Sequence, residues 1–209
     1  MAVVPDGRPQ PAAENSMTDT VERLVAKARR GDRGAFGELI RMYQVHILHL
    51  SFDLLGDWDL ASDAAQDSFV KAWKKLATFE ERAKFSSWLY RIAVNTCRDY
   101  QRREQRRRTS PIEEPAVRAQ AERHGPDERP SDAVEAAESR AQLEAALATL
   151  TENQRTAITL RYFHDLSTRE IAAVMACAEN TVRIHVFRGM EKLRQRLDSL
   201  PFAGDRHDD

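Results

Sequence analysis

The sequence predicts an all-helical protein in which two small domains are joined by a flexible linker. Through most of the chain, apolar side chains recur every three to four residues, the spacing of one face of an α-helix, and alternating strand patterns are nearly absent. Between two such periodic regions the large apolar residues almost vanish. A length of 209 residues suits one or two small domains, each with a core of its own.

Changes in composition set the expected domain boundaries. Residues 1–17 are rich in proline, alanine and polar residues and are expected to form a disordered tail. Residues 104–138 combine several prolines with many charges and cannot bury enough apolar surface to fold, which predicts the flexible linker. The periodic regions then become domains of residues 18–103 and 139–200, and residues 201–209 form a second tail.

Composition excludes several classes of protein. The formal net charge is −1, so only local segregation of charge can indicate a nucleic-acid partner. The two cysteines, Cys97 and Cys177, lie far apart and form no CxxC pair, so we expect neither a disulfide framework nor a metal site, and no cofactor. The chain shows no signal peptide and no apolar run of about 18 residues, so a cytoplasmic protein without membrane insertion is expected.

Helical periodicity begins near Thr18. One helix is expected before the glycines at positions 31 and 34, and a second resumes after them. The expected inward residues are Val21, Leu24, Val25 and Ala28 in the first helix and Phe36, Leu39, Ile40, Tyr43 and Ile47 in the second.

A third predicted helix, "DLASDAAQDSFVKAWKKL", follows Gly56 and Asp57. Its expected inward stripe consists of Ala65, Phe69, Ala72, Trp73 and Leu76. The polar row on the other side consists of Asp63, Gln66, Asp67 and Lys71. That row suits either a solvated face with one Asp–Lys pair four residues apart or a docking surface, and nothing in it indicates catalysis.

The fourth predicted helix, "FSSWLYRIAVNTCRDYQRRE", has two different faces. The residues expected to point inward are Leu89, Ile92, Ala93 and Thr96, and the outer stripe consists of Trp88, Arg91, Asn95, Arg98 and Arg102. An aromatic ring, an amide and several guanidinium groups on one stripe suit a single nucleic-acid strand, because they can stack a base, bond its edge and hold the backbone. The alternative interpretation is a core tryptophan beside a basic helix end.

In the second domain, "LSTREIAAVMACAENTV" has the form of a helix-turn-helix. Ser167 is expected to cap the first helix, with Glu170 closing a capping box, and Asn180 is expected to cap the second. The stripe expected to be buried in the first helix consists of Ile171, Ala172, Val174 and Met175.

The second helix of this motif is also expected to have two different sides. Its apolar side consists of Val182, Val186, Met190 (or Gly189) and Leu193. Its opposite side consists of Arg183, Ile184, Phe187 and Arg188, with His185 beside them. Guanidinium groups bind phosphates or guanine edges, and apolar tips contact thymine methyl groups. The alternative is an ordinary amphipathic helix with a solvated basic face.

Three stretches together resemble the small extracytoplasmic-function type of bacterial RNA polymerase sigma factor, group 4 of the sigma-70 family. "DLASDAAQDSFVKAW" is similar to that family's region 2.2, "WLYRIAVNTCRDY" to its regions 2.3 and 2.4, and "LSTREIAAVMACAENTVRIHVFRGMEKLRQRL" to its region 4.2. The resemblance covers about residues 18–198 without the linker. It implies a four-helix region 2 domain followed by a region 4 helix-turn-helix domain.

The resemblance also implies a function. Such a factor is not an enzyme but a transcription initiation factor, often of a stress response, that binds the clamp of the largest subunit and the flap of core RNA polymerase. It directs the polymerase to promoter DNA through a −10 and a −35 element, and an anti-sigma factor usually controls it. Ile184 and His185 stand where small polar and basic residues are common in the family, so the preferred −35 sequence is expected to differ.

The residues that match the family's motifs form three implied sites. The site for core polymerase consists of Asp63, Gln66, Asp67 and Lys71. The −10 site comprises the loop around residues 80–87 and the residues Lys84, Trp88, Arg91, Asn95 and Arg98. The −35 site consists of Thr168, Arg169, Thr181, Arg183, Ile184, His185, Phe187 and Arg188.

Two other classes of protein would explain parts of the sequence. A stand-alone helix-turn-helix regulator would explain the second domain but not the strand-binding stripe of the first, and it would bring a sensor or dimerising domain. An enzyme on a helical scaffold would need a nucleophile–base pair, a glycine-rich phosphate loop or metal-ligand spacing, and the sequence contains none of these patterns.

Overall fold

The computed structural model describes residues 11–80, 84–109, 145–147 and 149–198, and the part of the chain it describes contains helices but no strand. Contacts divide the chain into two compact units, Met1–Tyr100 and Gln101–Asp209. The all-α prediction is therefore confirmed. The helices are α1 (Pro11–Arg29), α2 (Arg33–Leu55), α3 (Trp58–Lys75), a 3-10 turn (Leu76–Thr78), α4 (Phe85–Thr109), α5 (Glu152–Tyr162), α6 (Thr168–Met175) and α7 (Glu179–Asp198).

The first unit is organised around α2, which packs against both α1 and α3. Phe36, Leu39 and Ile47 are buried as predicted, and of the other predicted residues on α2, Ile40 and Tyr43 are half-buried. On α3 the alanines at 61, 64 and 72 are fully buried. Small side chains at these positions let the backbones of neighbouring helices approach closely, so this row of alanines allows α3 to pack tightly within the unit.

The turn between α2 and α3 depends on two residues with different tasks. Gly56 ends α2 in the left-handed conformation, with φ of 73°, which glycine adopts without steric cost. Asp57 then caps α3, because its carboxylate accepts a hydrogen bond of 2.9 Å from the backbone N–H of Leu60. The turn is therefore set by local sequence.

An aromatic cluster surrounds the start of α4. The ring of Phe85 lies 5.6 Å from that of Tyr43 and 5.9 Å from that of Phe79, and the ring of Phe79 lies 5.0 Å from that of Trp88. Edge-to-face and tilted contacts at these distances are favourable beyond the area that they bury. The cluster ties α4 to α2 and to the segment that follows the 3-10 turn.

The structure differs from the sequence prediction at both ends of the first domain. α1 begins at Pro11, so the predicted tail is wrong for residues 11–17; proline fits the first turn of a helix, and the residues that follow are compatible with one. α4 continues to Thr109, so the predicted linker begins too early, because a charged arginine-rich segment can extend a helix that is already nucleated by its buried part. The rest of the predicted tail and linker lies outside the described residues.

The second unit contains two complete capping boxes. Thr151 and Gln154 bond reciprocally at the start of α5, and Ser167 and Glu170 do so at the start of α6, as predicted for the latter pair. Ile171, Ala172 and Val174 are buried as predicted, and Met175 is half-buried. The first helix of the motif is thus defined at its start by polar caps and along its length by an apolar face.

The turn of the helix-turn-helix is shorter than predicted. Ala176 ends α6 in the left-handed conformation, with φ of 53°, and α7 already begins at Glu179. The carbonyl of Ala178 accepts a hydrogen bond of 3.2 Å from the N–H of Val182, so the predicted cap at Asn180 is wrong. The reversal at Ala176 redirects the chain within a few residues, which places Asn180 inside the first turn of α7.

Gly189, rather than Met190, completes the buried side of α7. Gly189 is buried whereas Met190 is 41% exposed. A Cβ atom at position 189 would lie 2.5 Å from Cδ1 of the buried Ile158 on α5, which is closer than atoms can approach. At this separation of α7 and α5, a Cβ atom at position 189 therefore fits only if the end of the Ile158 side chain moves.

Replacement of Gly189 by alanine is expected to destabilise the second unit. Overpacking costs about 1–3 kcal/mol, and the better helix propensity of alanine returns at most about 1 kcal/mol, so a net loss of about 1 kcal/mol is expected. All three tryptophans, at 58, 73 and 88, lie in the first unit, so the loss should appear in denaturation followed by circular dichroism but not by tryptophan fluorescence.

Gly37→Ala is the matched control, because Gly37 lies within α2 and a Cβ atom there would meet nothing within 4 Å. It should stabilise the first unit by about 0.5–1 kcal/mol. A Gly189→Ala variant as stable as the parent protein would show that the Ile158 side chain moves aside at little cost and that glycine is not needed here.

The two cysteines are expected to differ in reactivity. Both are free thiols, but Cys97 is 1% exposed, and burial raises its pKa to about 11, whereas Cys177 is half-buried. Because the thiolate is the nucleophile, only about one Cys97 thiol in a thousand is ionised at pH 8. An alkylating reagent should modify Cys177 first in the folded protein and both cysteines in denaturant, as measured by mass spectrometry. Equal labelling rates before unfolding would contradict this.

Candidate nucleic-acid and polymerase interfaces

The polar row on α3 does not form one uniform face. Asp63 and Gln66 are exposed, and the Gln66 amide donates a hydrogen bond of 3.4 Å to the hydroxyl of Ser62 on the same helix. Asp67 and Lys71 are half-buried. The four residues predicted to dock on polymerase therefore divide into a solvent-facing pair and a pair turned toward the rest of the unit.

Asp67 and Lys71 both bond side chains on α4. The Nζ of Lys71 donates to Oγ1 of Thr96 at 3.1 Å and to Oδ2 of Asp99 at 3.2 Å. The Tyr100 hydroxyl donates to Oδ2 of Asp67 at 2.9 Å. Lys71 thus pairs with Asp99 on α4 instead of with Asp67 on its own helix. The periodicity of one helix does not show which helix lies beside it, so this pair could not be predicted from the sequence.

The outer stripe of α4 is exposed in part. Arg91 and Asn95 are exposed, and Trp88 and Arg98 are half-buried. The residues predicted to face inward are all buried, and they are Leu89, Ile92, Ala93 and Thr96. Lys84 is exposed just before the helix, where its carbonyl accepts a hydrogen bond of 3.2 Å from the N–H of Trp88.

Trp88 has features of both a core tryptophan and a ring that can stack a base, the two interpretations made from the sequence. Its ring lies 5.0 Å from that of Phe79 and 5.6 Å from that of Phe85, so it belongs to the aromatic cluster. It is also half-buried rather than buried, which leaves part of the indole accessible. A ring held in this way offers a rigid surface on which a base can stack.

The loop predicted around residues 80–87 is shorter than expected. α4 begins at Phe85, and Ser87 is only 6% exposed, so Ser87 is wrongly included among residues that could contact DNA. Glu80 and Lys84 are exposed, and residues 81–83 lie outside the described residues. The described part of the predicted −10 site is therefore Lys84 together with the stripe on α4.

The predicted −35 residues cluster around the start of α7. Arg183, Ile184, Phe187 and Arg188 are exposed, and Ile184 and Phe187 are 41% and 70% exposed although both are large and apolar. Thr181 and His185 are half-buried on the same helix, and on α6 Thr168 is half-buried and Arg169 is exposed. Exposed apolar tips among arginines suit the major groove, where thymine methyl groups lie beside guanine acceptors.

Two features of this region were missed in the sequence. Glu179 accepts a hydrogen bond of 3.4 Å from Nη2 of Arg183, and a glutamate four residues before an arginine on a helix is a recognisable signal for this pair. A groove of about 410 Å³ also lies between α5, α6 and α7, lined in part by Arg161, Tyr162 and Phe187. No sequence pattern could have located it, because its walls come from three helices.

Comparison with known proteins identifies both units. The family model for Sigma-70 region 2 matches residues 39–107, and the model for Sigma-70, region 4 matches residues 140–193. RNA polymerase sigma-H factor of Pseudomonas aeruginosa is 36% identical over 185 residues, which cover 86% of this chain and 94% of that protein. ECF RNA polymerase sigma-E factor of Haemophilus influenzae is 34% identical over 187 residues, which cover 87% and 97%.

The chain belongs to the extracytoplasmic-function sigma factors of the sigma-70 family. The two region 2 stretches lie within the first matched region, and the region 4.2 stretch lies within the second except for its last four residues. Sigma factors are transcription factors that bind core RNA polymerase and direct it to promoters, rather than catalysts. None of the helices that the structure describes is both long and apolar enough to cross a membrane.

Solved structures support the same fold for this sigma factor. CnrH, in a complex with the cytosolic domain of CnrY, matches with a TM-score of 0.64 and 25% identity, covering 87% of this chain and 99% of that one. The sigma factor RpoE of Bartonella quintana, in a complex with the anti-sigma factor NepR, matches with a TM-score of 0.56 and 24% identity, covering 79% and 98%.

Substitutions at Ile184 and Arg188 are expected to affect −35 recognition in different ways. Ile184 lies nearer the N-terminus of α7, the part of a recognition helix that contacts base edges, and Arg188 lies a turn further along. Phosphate contacts carry no sequence information, whereas base contacts discriminate by about 1–3 kcal/mol. Ile184→Ser should therefore re-rank promoters that differ at single −35 positions, and Arg188→Ala should weaken all of them by a similar factor.

The measurement is run-off transcription over such a promoter set at two salt concentrations. Arg188→Ala should also lower the salt dependence, because one fewer counterion is released on binding. If Arg188→Ala changed the ranking while Ile184→Ser scaled every promoter equally, the two roles would be reversed.

Proposed function

We propose that this sigma factor binds core polymerase through the exposed side of α3, engages the −10 element with α4, and reads the −35 element with α7. The observation that carries the proposal is that each unit presents one face suited to DNA, although the chain as a whole has a net charge of −1. Such local segregation of charge is the footprint expected of a nucleic-acid-binding protein.

The −10 assignment is supported by the chemistry of the α4 stripe. A half-buried ring at Trp88 can stack an unpaired base, the amide of Asn95 can bond a base edge, and Arg91 can hold the phosphate backbone. Because these groups are attached to a helix whose inner face is buried, they are held in position before DNA arrives.

The −35 assignment is supported by the start of α7. Arg183 and Ile184 are exposed in the first turns of a helix that follows a short turn, which is the geometry of a recognition helix in the major groove. Arg169 and Thr168 on α6 lie where the first helix of such a motif crosses the DNA backbone. Phe187 offers an apolar tip to a base methyl group or a sugar.

The docking assignment for polymerase is narrower than the sequence prediction. Asp63 and Gln66 are exposed and can contact another protein directly. The carboxylate of Asp67 and the ammonium of Lys71 already bond α4. We therefore assign direct contact with the clamp of the largest subunit to Asp63 and Gln66.

Control by an anti-sigma factor is part of the proposal. CnrH is bound to the cytosolic domain of CnrY in its structure, and this chain covers 99% of CnrH. A partner that occludes the exposed side of α3 would prevent polymerase docking without any change in the DNA-binding faces.

Transcription with purified components tests the function as a whole. The full chain and core polymerase, incubated with a library of promoter fragments, should give run-off transcripts from a subset that shares −10 and −35 sequences. Core polymerase alone should give none of these transcripts. Sequence-specific binding of the chain to duplex DNA without any association with core polymerase would instead indicate a stand-alone helix-turn-helix regulator.

Reversal of charge at Asp63 is expected to weaken assembly with core polymerase. Asp63→Arg should reduce affinity about tenfold, which corresponds to about 1.4 kcal/mol, because a like charge would then face the partner surface. Competition of unlabelled variants against labelled parent protein measures this change.

Glu22→Arg is the matched control, since Glu22 is an exposed acid on α1 in the same unit and makes the same change in net charge. It should bind core polymerase like the parent. If Asp63→Arg also bound like the parent, α3 would not be the docking surface.

A further inference from the structure

We propose that the side-chain bonds between α3 and α4 position the strand-binding stripe of α4, so that Asp99 and Tyr100 act as positioning residues for promoter melting. These bonds, here called the α3–α4 link, join Asp67 to Tyr100 and Lys71 to Thr96 and Asp99. The proposal deepens the proposed function and rests on its assignment of the −10 element to α4.

The link has the form of a ladder with two rungs. On α3, Asp67 and Lys71 are four residues apart, and on α4 their partners Tyr100 and Thr96 are also four residues apart. Residue 67 meets residue 100 and residue 71 meets residue 96, so the helices run antiparallel along the link. Residues four apart lie above one another on one face of a helix, so the two rungs fix both the axial position and the rotation of α4.

Directional bonds are needed because the apolar packing of α4 is not directional. Leu89, Ala93 and Val94 are buried and hold α4 in the unit, but apolar contacts tolerate small rotations. Rotation by about 20° moves a side-chain tip at a radius of about 6 Å by about 2 Å, which is enough to break a hydrogen bond. Two hydrogen-bonded rungs resist such a rotation.

The link lies next to the stripe that it is proposed to position. Asn95 directly precedes Thr96, and Arg98 directly precedes Asp99 in the same helix. Thr96 is fully buried and its hydroxyl also donates to the carbonyl of Ile92 at 2.9 Å, so its position is doubly fixed. Any movement of the link residues is therefore transmitted through one turn of rigid helix to the DNA-facing groups.

The bonds are better suited to orientation than to global stability. The side chains of Lys71 and Asp99 are 37% and 47% exposed, so solvent screens their ion pair and its contribution to folding is small. The bond from the Tyr100 hydroxyl to the Asp67 carboxylate involves a charged acceptor, which makes it short and directional. Loss of one rung should thus leave the protein folded with α4 less well oriented.

The test uses Tyr100→Phe and Asp99→Asn, which remove a hydroxyl and a charge while they keep the shape of the side chain. Each is assembled with core polymerase on a duplex promoter and on the same promoter with the −10 region already unpaired. We expect open-complex formation on the duplex, followed by reactivity of unpaired thymines, to fall about tenfold. Affinity for core polymerase should stay within twofold of the parent.

A cycle with Lys71→Met tests whether Lys71 and Asp99 act through one bond. If they do, the double variant Lys71→Met, Asp99→Asn should be no slower than the slower single variant, because coupled residues are not additive. Tyr43→Phe is the control, since it removes a hydroxyl from another half-buried tyrosine of the same unit and keeps the ring. It should change none of these measurements.

Several outcomes would overturn the proposal. Unchanged opening in Tyr100→Phe and Asp99→Asn would show that the link does not position α4. A loss of core affinity equal to the loss of opening would show that the residues belong to the docking surface. A fall in unfolding temperature that accounts for both losses would assign them a structural role alone. Failure of the parent chain itself to support promoter-specific transcription would instead refute the proposed function.

Discussion

Burial of one face of α4 is the constraint on which the first unit depends. Leu89, Ala93, Val94 and Cys97 are buried along this helix, and its period leaves Arg91 and Asn95, four residues apart, exposed on the other side. The packing of α4 in the core therefore decides which side of the helix carries Arg91, and the α3–α4 link is proposed to set its finer orientation. A protein that must hold polar groups ready for DNA gains rigidity from this arrangement, because the same helix forms part of the core and the binding face.

The polar contacts between α3 and α4 show that some residues predicted to face solvent instead join two helices. Asp67 and Lys71 share the outer row of α3 with Asp63, yet their charged groups bond α4. A helix face that borders another helix is neither fully exposed to solvent nor fully buried. A long side chain such as lysine can reach a polar partner there while its aliphatic stem stays packed. The proposed docking surface on α3 and the proposed DNA-binding stripe on α4 are in this way connected by side chains as well as by the chain itself.

The second unit is made rigid by helix caps and by the close packing of α7 on α5. Its helices α5 and α6 are short, so their ends need definition by caps, and a capping box starts each of them. Gly189 leaves room for the side chain of Ile158 where α7 approaches α5 closely. The packing of α7 fixes the direction in which its first turns present Arg183 and Ile184, which are the residues proposed to read bases.

The sequence by itself determined the helical class, the two-domain plan, the family and the inner and outer faces of α4 and α7, because helix periodicity and capping are local. Tertiary structure alone decided the Lys71–Asp99 and Tyr100–Asp67 bonds, the burial of Gly189 instead of Met190, and the groove beside Tyr162. These features join residues that are distant in the chain or depend on how closely two helices approach. No local pattern contains that distance, because packing of the whole unit sets it.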